Sequence, residues 1–182
     1  MSGQRDGEKW DAAQEGAELI AEGEIDAAIS ELEGVIDRDP KNEYAYYFLG
    51  AAHFEKGAFD KAMKASVKAL EIAPQYLGAL VQLGHSLRMM GRHQEAIRVA
   101  RQLLAQNKDD GDALYLLGLS HYARGERAAA TEYLNRFLAT KPELEVANEV
   151  TGLLQVLRGD VEPSDEEGGD GGAGGGPDRS LN

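Results

Sequence analysis

Cysteine is absent from the 182-residue chain, tryptophan occurs once and proline five times. Without thiols there is no disulfide framework, no thiolate metal site and no thiol nucleophile. Cations are scarce: 19 Lys and Arg stand against 32 Asp and Glu, a net charge of −13. Nucleic acid and anionic membranes both call for Lys/Arg patches, so neither is an expected partner. The opening stretch MSGQRDGEKW has no apolar run behind a basic one and predicts no secretory signal. No window approaches the ~18 consecutive apolar residues of a bilayer span, so no membrane insertion is expected. These absences together predict a cytoplasmic protein.

Catalytic patterns are missing too. No His-x-x-x-His or Glu-x-x-His pair occurs, which removes the common zinc and di-iron ligand sets. Neither G-x-S-x-G nor a phosphate-cradling glycine loop after a strand is present. His53 and His121 share one place in a repeat and read as packing residues, while His93 opens a helix. The expectation is therefore no metal, no cofactor and no enzymatic activity.

Glycine is abundant, and its placement is periodic. Gly16, Gly50, Gly84, Gly118 and Gly152 form one ladder; Gly23, Gly57, Gly91, Gly125 and Gly159 form another. Every step in both is 34 residues. Ala28, Ala62, Ala96 and Ala130 keep the same period, as do Pro40, Pro74 and Pro142, with Lys108 in the one missing place. A fixed period of this size is the mark of stacked repeats. Units start at Lys9, Glu43, Leu77 and Gly111, with a half-unit from Glu145.

Within a unit, Tyr44–Lys56 has apolar residues at helical spacing and no proline. Gly57 sits where the chain must reverse, a place for left-handed backbone. Phe59–Ile72 then reads as a second helix, with Ala62, Met63, Ser66, Ala69 and Leu70 on one face, and Pro74 discourages its continuation. A glycine inside a helix costs about 1 kcal/mol against alanine, so the first ladder implies close helix packing. Helices this short are marginal alone, and stacking must supply the stability.

This pattern resembles the tetratricopeptide repeat (TPR) family across Lys9–Gly159. Tyr46, Leu49-Gly50, Ala62, Ser66, Ala69 and Pro74 occupy the signature places in the second unit. Leu114, Leu117-Gly118, Ala130, Leu134, Phe137 and Pro142 do so in the fourth. The resemblance implies an all-α fold, a right-handed α-α superhelix (solenoid) of four helix hairpins plus a C-terminal capping helix. The expected organisation is a flexible N-terminus (1–8), repeats at 9–42, 43–76, 77–110 and 111–144, a capping helix at 145–159, and a disordered acidic, Gly-rich tail (160–182). Places that face the preceding unit hold Ala45/Ala52, Ala79/Ser86 and Ala113/Ser120, whereas the first unit has Asp11 and Glu18 there. In the last helix, Val146, Val150, Leu153, Leu154 and Leu157 share a face, and Asn148, Thr151 and Gln155 lie opposite. Both ends thus read as solvating ends.

Family geometry implies that the second, fifth, sixth, ninth and twelfth places of each first helix line a concave groove. Those places hold Trp10, Ala13, Gln14, Ala17 and Ile20 in the first unit, and Tyr44, Tyr47, Phe48, Ala51 and Phe54 in the second. In the third they hold Gly78, Val81, Gln82, His85 and Arg88; in the fourth, Asp112, Tyr115, Leu116, Leu119 and Tyr122. Phe54 and Tyr122 are expected to point into the interhelix core. The candidate peptide-binding set is Tyr44, Tyr47, Phe48, Ala51, Val81, Gln82, His85, Arg88, Tyr115 and Leu119, with Ala51 and Gly78 leaving room for a ligand.

The expected partner is a protein or peptide with apolar anchors. The family's carboxylate clamp for chaperone tails needs Lys, Asn and Arg at places that here hold Ala13, Ala17, Phe48, Gly78 and Gln82, so no such tail is expected. An adaptor or scaffold is the leading functional expectation. The alternatives are a self-associating scaffold or weak homo-oligomer, with the acidic first repeat against Arg88, Arg92, Arg98 and Arg101 of the third, and a TPR-type bacterial secretion chaperone.

Overall fold

The computed structural model describes residues 2–160, which form nine helices and no strand. They run α1 (Ser2–Ala21), α2 (Ile25–Arg38), α3 (Glu43–Glu55), α4 (Phe59–Ile72), α5 (Leu77–Met89), α6 (His93–Gln106), α7 (Gly111–Ala123), α8 (Arg127–Ala139) and α9 (Leu144–Arg158). Each helix packs on its sequence neighbours, and α1, α3, α5 and α7 also lie side by side. This is a stack of antiparallel hairpins, with the odd-numbered helices forming the inner wall. No described helix is long and apolar enough to cross a membrane.

The turns within hairpins repeat one geometry. Gly23, Gly57, Gly91, Gly125 and Gly159 all have positive φ, between 74° and 84°. The residue after each glycine donates its N–H to the carbonyl five residues back: Ala58 to His53 at 2.8 Å, Arg92 to Leu87 at 2.9 Å, Glu126 to His121 at 2.9 Å. This is the Schellman closure, which satisfies carbonyls that the helix end leaves open. The closure serves the end of the first helix only, and α2, α4, α6 and α8 start without a side-chain cap.

Between hairpins the solution varies. Asn42 is fully buried, accepts the Ala45 N–H at 3.0 Å and donates to the Lys9 carbonyl at 2.9 Å. Asp110 caps α7 by accepting the Ala113 N–H at 2.9 Å. Tyr76 holds the same place before α5 and makes no side-chain cap.

Ala45, Ala52, Ala79, Ser86, Ala113 and Ser120 are all fully buried between successive hairpins. Asp11 and Glu18 at the matching places of the first hairpin are exposed. In α9, Val150 and Leu154 are buried on Leu114, Leu134 and Phe137, and Asn148, Thr151 and Gln155 are exposed. Unlike its odd-numbered predecessors, α9 makes no close backbone approach to the first helix before it.

Helix α1 starts ahead of the first unit: it is helical from Ser2, within the 1–8 segment expected to be flexible. Lys9 is anchored by an ion pair to Glu43 at 2.6 Å and by Asn42 on its carbonyl, so upstream residues extend an existing helix and meet no nucleation cost. The expected disordered tail lies outside the described residues from 161 onward.

Candidate functional site

The inner wall is shaped by how the ladder glycines are covered. A Cβ at Gly16 would collide with Leu32, and one at Gly118 with Leu134, each on the partner helix of its own hairpin. At the corresponding places the second and third hairpins carry Ser66 and Ala100, too short to fill the notch. There the next hairpin reaches back: Gln82 covers Gly50 and Leu116 covers Gly84. Leu116 is consequently fully buried and absent from the groove.

Gln82 is a latch rather than a free groove residue. With its amide oriented to satisfy both ends, it donates to Ser66 Oγ at 2.8 Å and to the Tyr47 carbonyl at 3.2 Å, and accepts the Ala51 N–H at 2.8 Å. Ser66 also donates to the Ala62 carbonyl at 2.9 Å. A side chain at Gly50 would exclude this amide, which is why that turn of α3 needs glycine.

Upstream, the rings gather into one cluster. Trp10 stacks edge-on against Tyr44 (centroids 5.3 Å) and Phe48 (5.5 Å), Tyr47 meets Phe48 (5.1 Å), and Tyr76 meets Tyr44 (5.6 Å) and Tyr47 (5.0 Å). Tilted and edge-to-face pairs at these distances attract beyond their area burial. Burial pushes the Tyr76 hydroxyl well above the usual phenol range, aided by Tyr47 and Tyr44. The room expected at Gly78 is filled, since a Cβ there would meet the Tyr47 ring at 3.2 Å and Tyr76 at 3.3 Å. Tyr76 and the strength of the Trp10 contact escape a reading of groove places. The signal for Tyr76 was the break in the Asn42, Asp110 capping series.

Downstream of this cluster the wall opens. Ala51, Phe54, Glu55, Gln82, His85 and Arg88 line a cavity of about 360 Å³ between α3 and α5. Phe54 is half-buried against Phe59 at 5.1 Å. His85 faces Tyr115 at 6.3 Å, and Tyr115 packs on Phe137 at 5.0 Å. Burial, assisted by the Arg88 charge, lowers the His85 imidazole to about 4. Burial also raises the Tyr115 hydroxyl, with Glu149 adding to the effect. At neutral pH the cavity therefore presents a neutral imidazole beside a guanidinium.

Of the sequence-chosen residues, Ala51, Gln82, His85 and Arg88 share this cavity, and Tyr44, Tyr47 and Phe48 share the ring cluster. Val81 and Leu119 are half-buried against the cores of the third and fourth hairpins. Tyr122, expected in the interhelix core, is 38% exposed.

His53 and His121 are packed within hairpins. His121 is buried, stacks on Tyr133 at 5.4 Å and pairs with Glu126, whose carboxyl it holds below the usual range. His53 is buried, and burial together with the Lys61 charge lowers its imidazole. No group of three or more His, Asp or Glu able to hold a metal ion occurs among the described residues.

Known proteins place this geometry. The chain is 25% identical to human superkiller complex protein 3 over 127 residues, 70% of this chain and 8% of that protein. It thus spans a small part of the relatives it matches. Among solved structures, MamA superposes with a TM-score of 0.68 at 27% identity, covering 79% of this chain and 84% of MamA. A thermophilic TPR protein from Thermus thermophilus, TTC0263, superposes with a TM-score of 0.66 at 23% identity, covering 84% and 82%. The tetratricopeptide repeat models match residues 19–83 and 81–145. With its 34-residue ladders, glycine-closed hairpins and inner wall of odd-numbered helices, the chain belongs to the tetratricopeptide repeat family.

Proposed function

We propose that this protein is a non-catalytic adaptor that holds a peptide segment of another protein along its inner wall. The observation that carries this reading is the cavity between α3 and α5, apolar at Ala51 and Phe54 and following the half-buried rings of Tyr44, Tyr47 and Phe48 along the wall. An extended or helical peptide with apolar anchors matches such a wall. The relationship to a named complex component, superkiller complex protein 3, agrees with a role in assembly. Membership of the repeat family supports protein interaction in general; the groove and its peptide are the finer part of the proposal.

Tyr47 and Tyr115 are poor test positions, because both rings also support the fold. Ala51→Leu fills the cavity floor and keeps helix propensity. Pull-down with mass spectrometry, run in parallel on wild type and Ala51→Leu, should show a partner captured by the first and lost from the second, with unchanged helical circular dichroism. Equal capture by both would overturn the groove reading.

A further inference from the structure

We infer that the cavity between α3 and α5 seats an acidic side chain of the partner peptide, with Arg88 as its counter-ion. This rests on the groove reading above and specifies the chemistry of what enters. Among the inner-wall places named from the sequence, Arg88 is the single cation. It is half-buried, and its Nε is buried without a hydrogen-bond partner. No carboxylate among the described residues pairs with it. The neighbouring arginines differ: Arg92 is held by Glu95 at 2.7 Å, and Arg124 by Glu126 at 2.8 Å.

A partly desolvated guanidinium without a partner is an unmet demand for hydrogen-bond acceptors. The remaining cavity groups do not meet it. Gln82 spends its amide on Ser66 and α3, His85 is neutral, and Ala51 and Phe54 are apolar. Glu55 lines the same cavity without forming an ion pair. A carboxylate entering from outside satisfies the fork in the bidentate geometry that guanidinium favours. The apolar walls require that this acid sit beside an aromatic or aliphatic residue. In the acidic segment 160–167, DVEPSDEE, only Val161 sets an aliphatic residue beside acids. It follows within three residues of the end of α9, which packs on α8 and lies hairpins away from the cavity between α3 and α5. The chemistry therefore favours a segment of another protein over the chain's own tail.

The test selects phage-displayed random dodecapeptides on the immobilised full chain, then measures synthetic copies by fluorescence anisotropy. Selected peptides should carry Asp or Glu next to an aromatic or aliphatic residue. Changing that acid to its amide should weaken binding to wild type about tenfold and leave binding to Arg88→Gln unchanged. Arg88→Lys should keep part of the discrimination, and Glu55→Gln should tighten acidic peptides. Peptides that bind but ignore the acid-to-amide change would overturn the inference and leave the groove reading intact. Failure of any peptide to enrich, or binding indifferent to Ala51→Leu, would remove the groove reading itself. Tighter, Arg88-dependent binding of a synthetic 160–170 peptide would assign the cavity to the tail and overturn the partner assignment.

Discussion

The joint between the second and third hairpins and the joint between the third and fourth answer the same geometric problem with opposite chemistry. In each, a glycine notch on the inner helix is left open by a small residue on its own hairpin, Ser66 or Ala100. Gln82 fills the first notch with an amide that bonds Ser66 and the backbone of α3. Leu116 fills the second with a fully buried isobutyl group. Shape is therefore the constant at these two joints, and polarity can vary because the amide of Gln82 finds partners for its polar atoms. The polar joint also borders the open cavity, whereas Leu116 lies sealed inside.

Exchanging the two fillers gives the largest effect. Leu116→Gln buries an amide with nothing polar arranged to meet it and should cost about 3 kcal/mol. Gln82→Leu should cost less than about 1 kcal/mol, because the Ala51 N–H and Tyr47 carbonyl can pair within α3 and Ser66 keeps the Ala62 carbonyl. Urea unfolding followed by far-UV circular dichroism measures both, and equal losses would erase the distinction between the joints. Next in size is Gly118→Ala, whose methyl would strike Leu134 and should destabilise by about 1–2 kcal/mol.

The same substitution on α9 should reverse sign. Nothing lies within 4 Å of a Cβ at Gly152, because no described hairpin covers it. Gly152→Ala should stabilise by roughly 0.5–1 kcal/mol through helix propensity alone. A destabilised Gly152→Ala would mean that the end of the stack is covered in solution. The effect that is smallest at neutral pH, and grows only on acidification, concerns His85, whose pKa falls from 6.5 to about 4 on folding. The unfolded chain binds the extra proton in that window, so stability is retained above pH 6.5 and lost on acidification toward 4. His85→Gln should flatten that part of the stability–pH curve; an unchanged slope would show that Arg88 and burial do not act on His85 as described.

The architecture was legible because it is written in spacing. Helix α4 spans Phe59–Ile72 as the periodicity predicts, and the internal first helices begin at the unit starts Glu43, Leu77 and Gly111. The reach of α1 back to Ser2 was hidden, since it depends on Lys9 being pinned by Glu43 and Asn42 in the next unit. The groove was read less well because a place in the repeat does not fix which way a side chain turns. Phe48, Gln82 and Leu116 share the sixth place, yet only Phe48 joins the ring cluster. The deciding residue lies elsewhere: Leu32 already fills the notch beneath Phe48, whereas Ser66 and Ala100 leave theirs for Gln82 and Leu116. Tyr122 escaped for a similar reason, being exposed where a core position was expected.

Every close approach among the described helices joins an element to its immediate neighbour or to the next first helix. Loop closure therefore never has to span more than about one unit, which lowers the entropic barrier to assembly. A ribosome emitting this chain would release a hairpin that can begin to order before the following one is synthesised, and growth then proceeds like a zipper in the direction of translation.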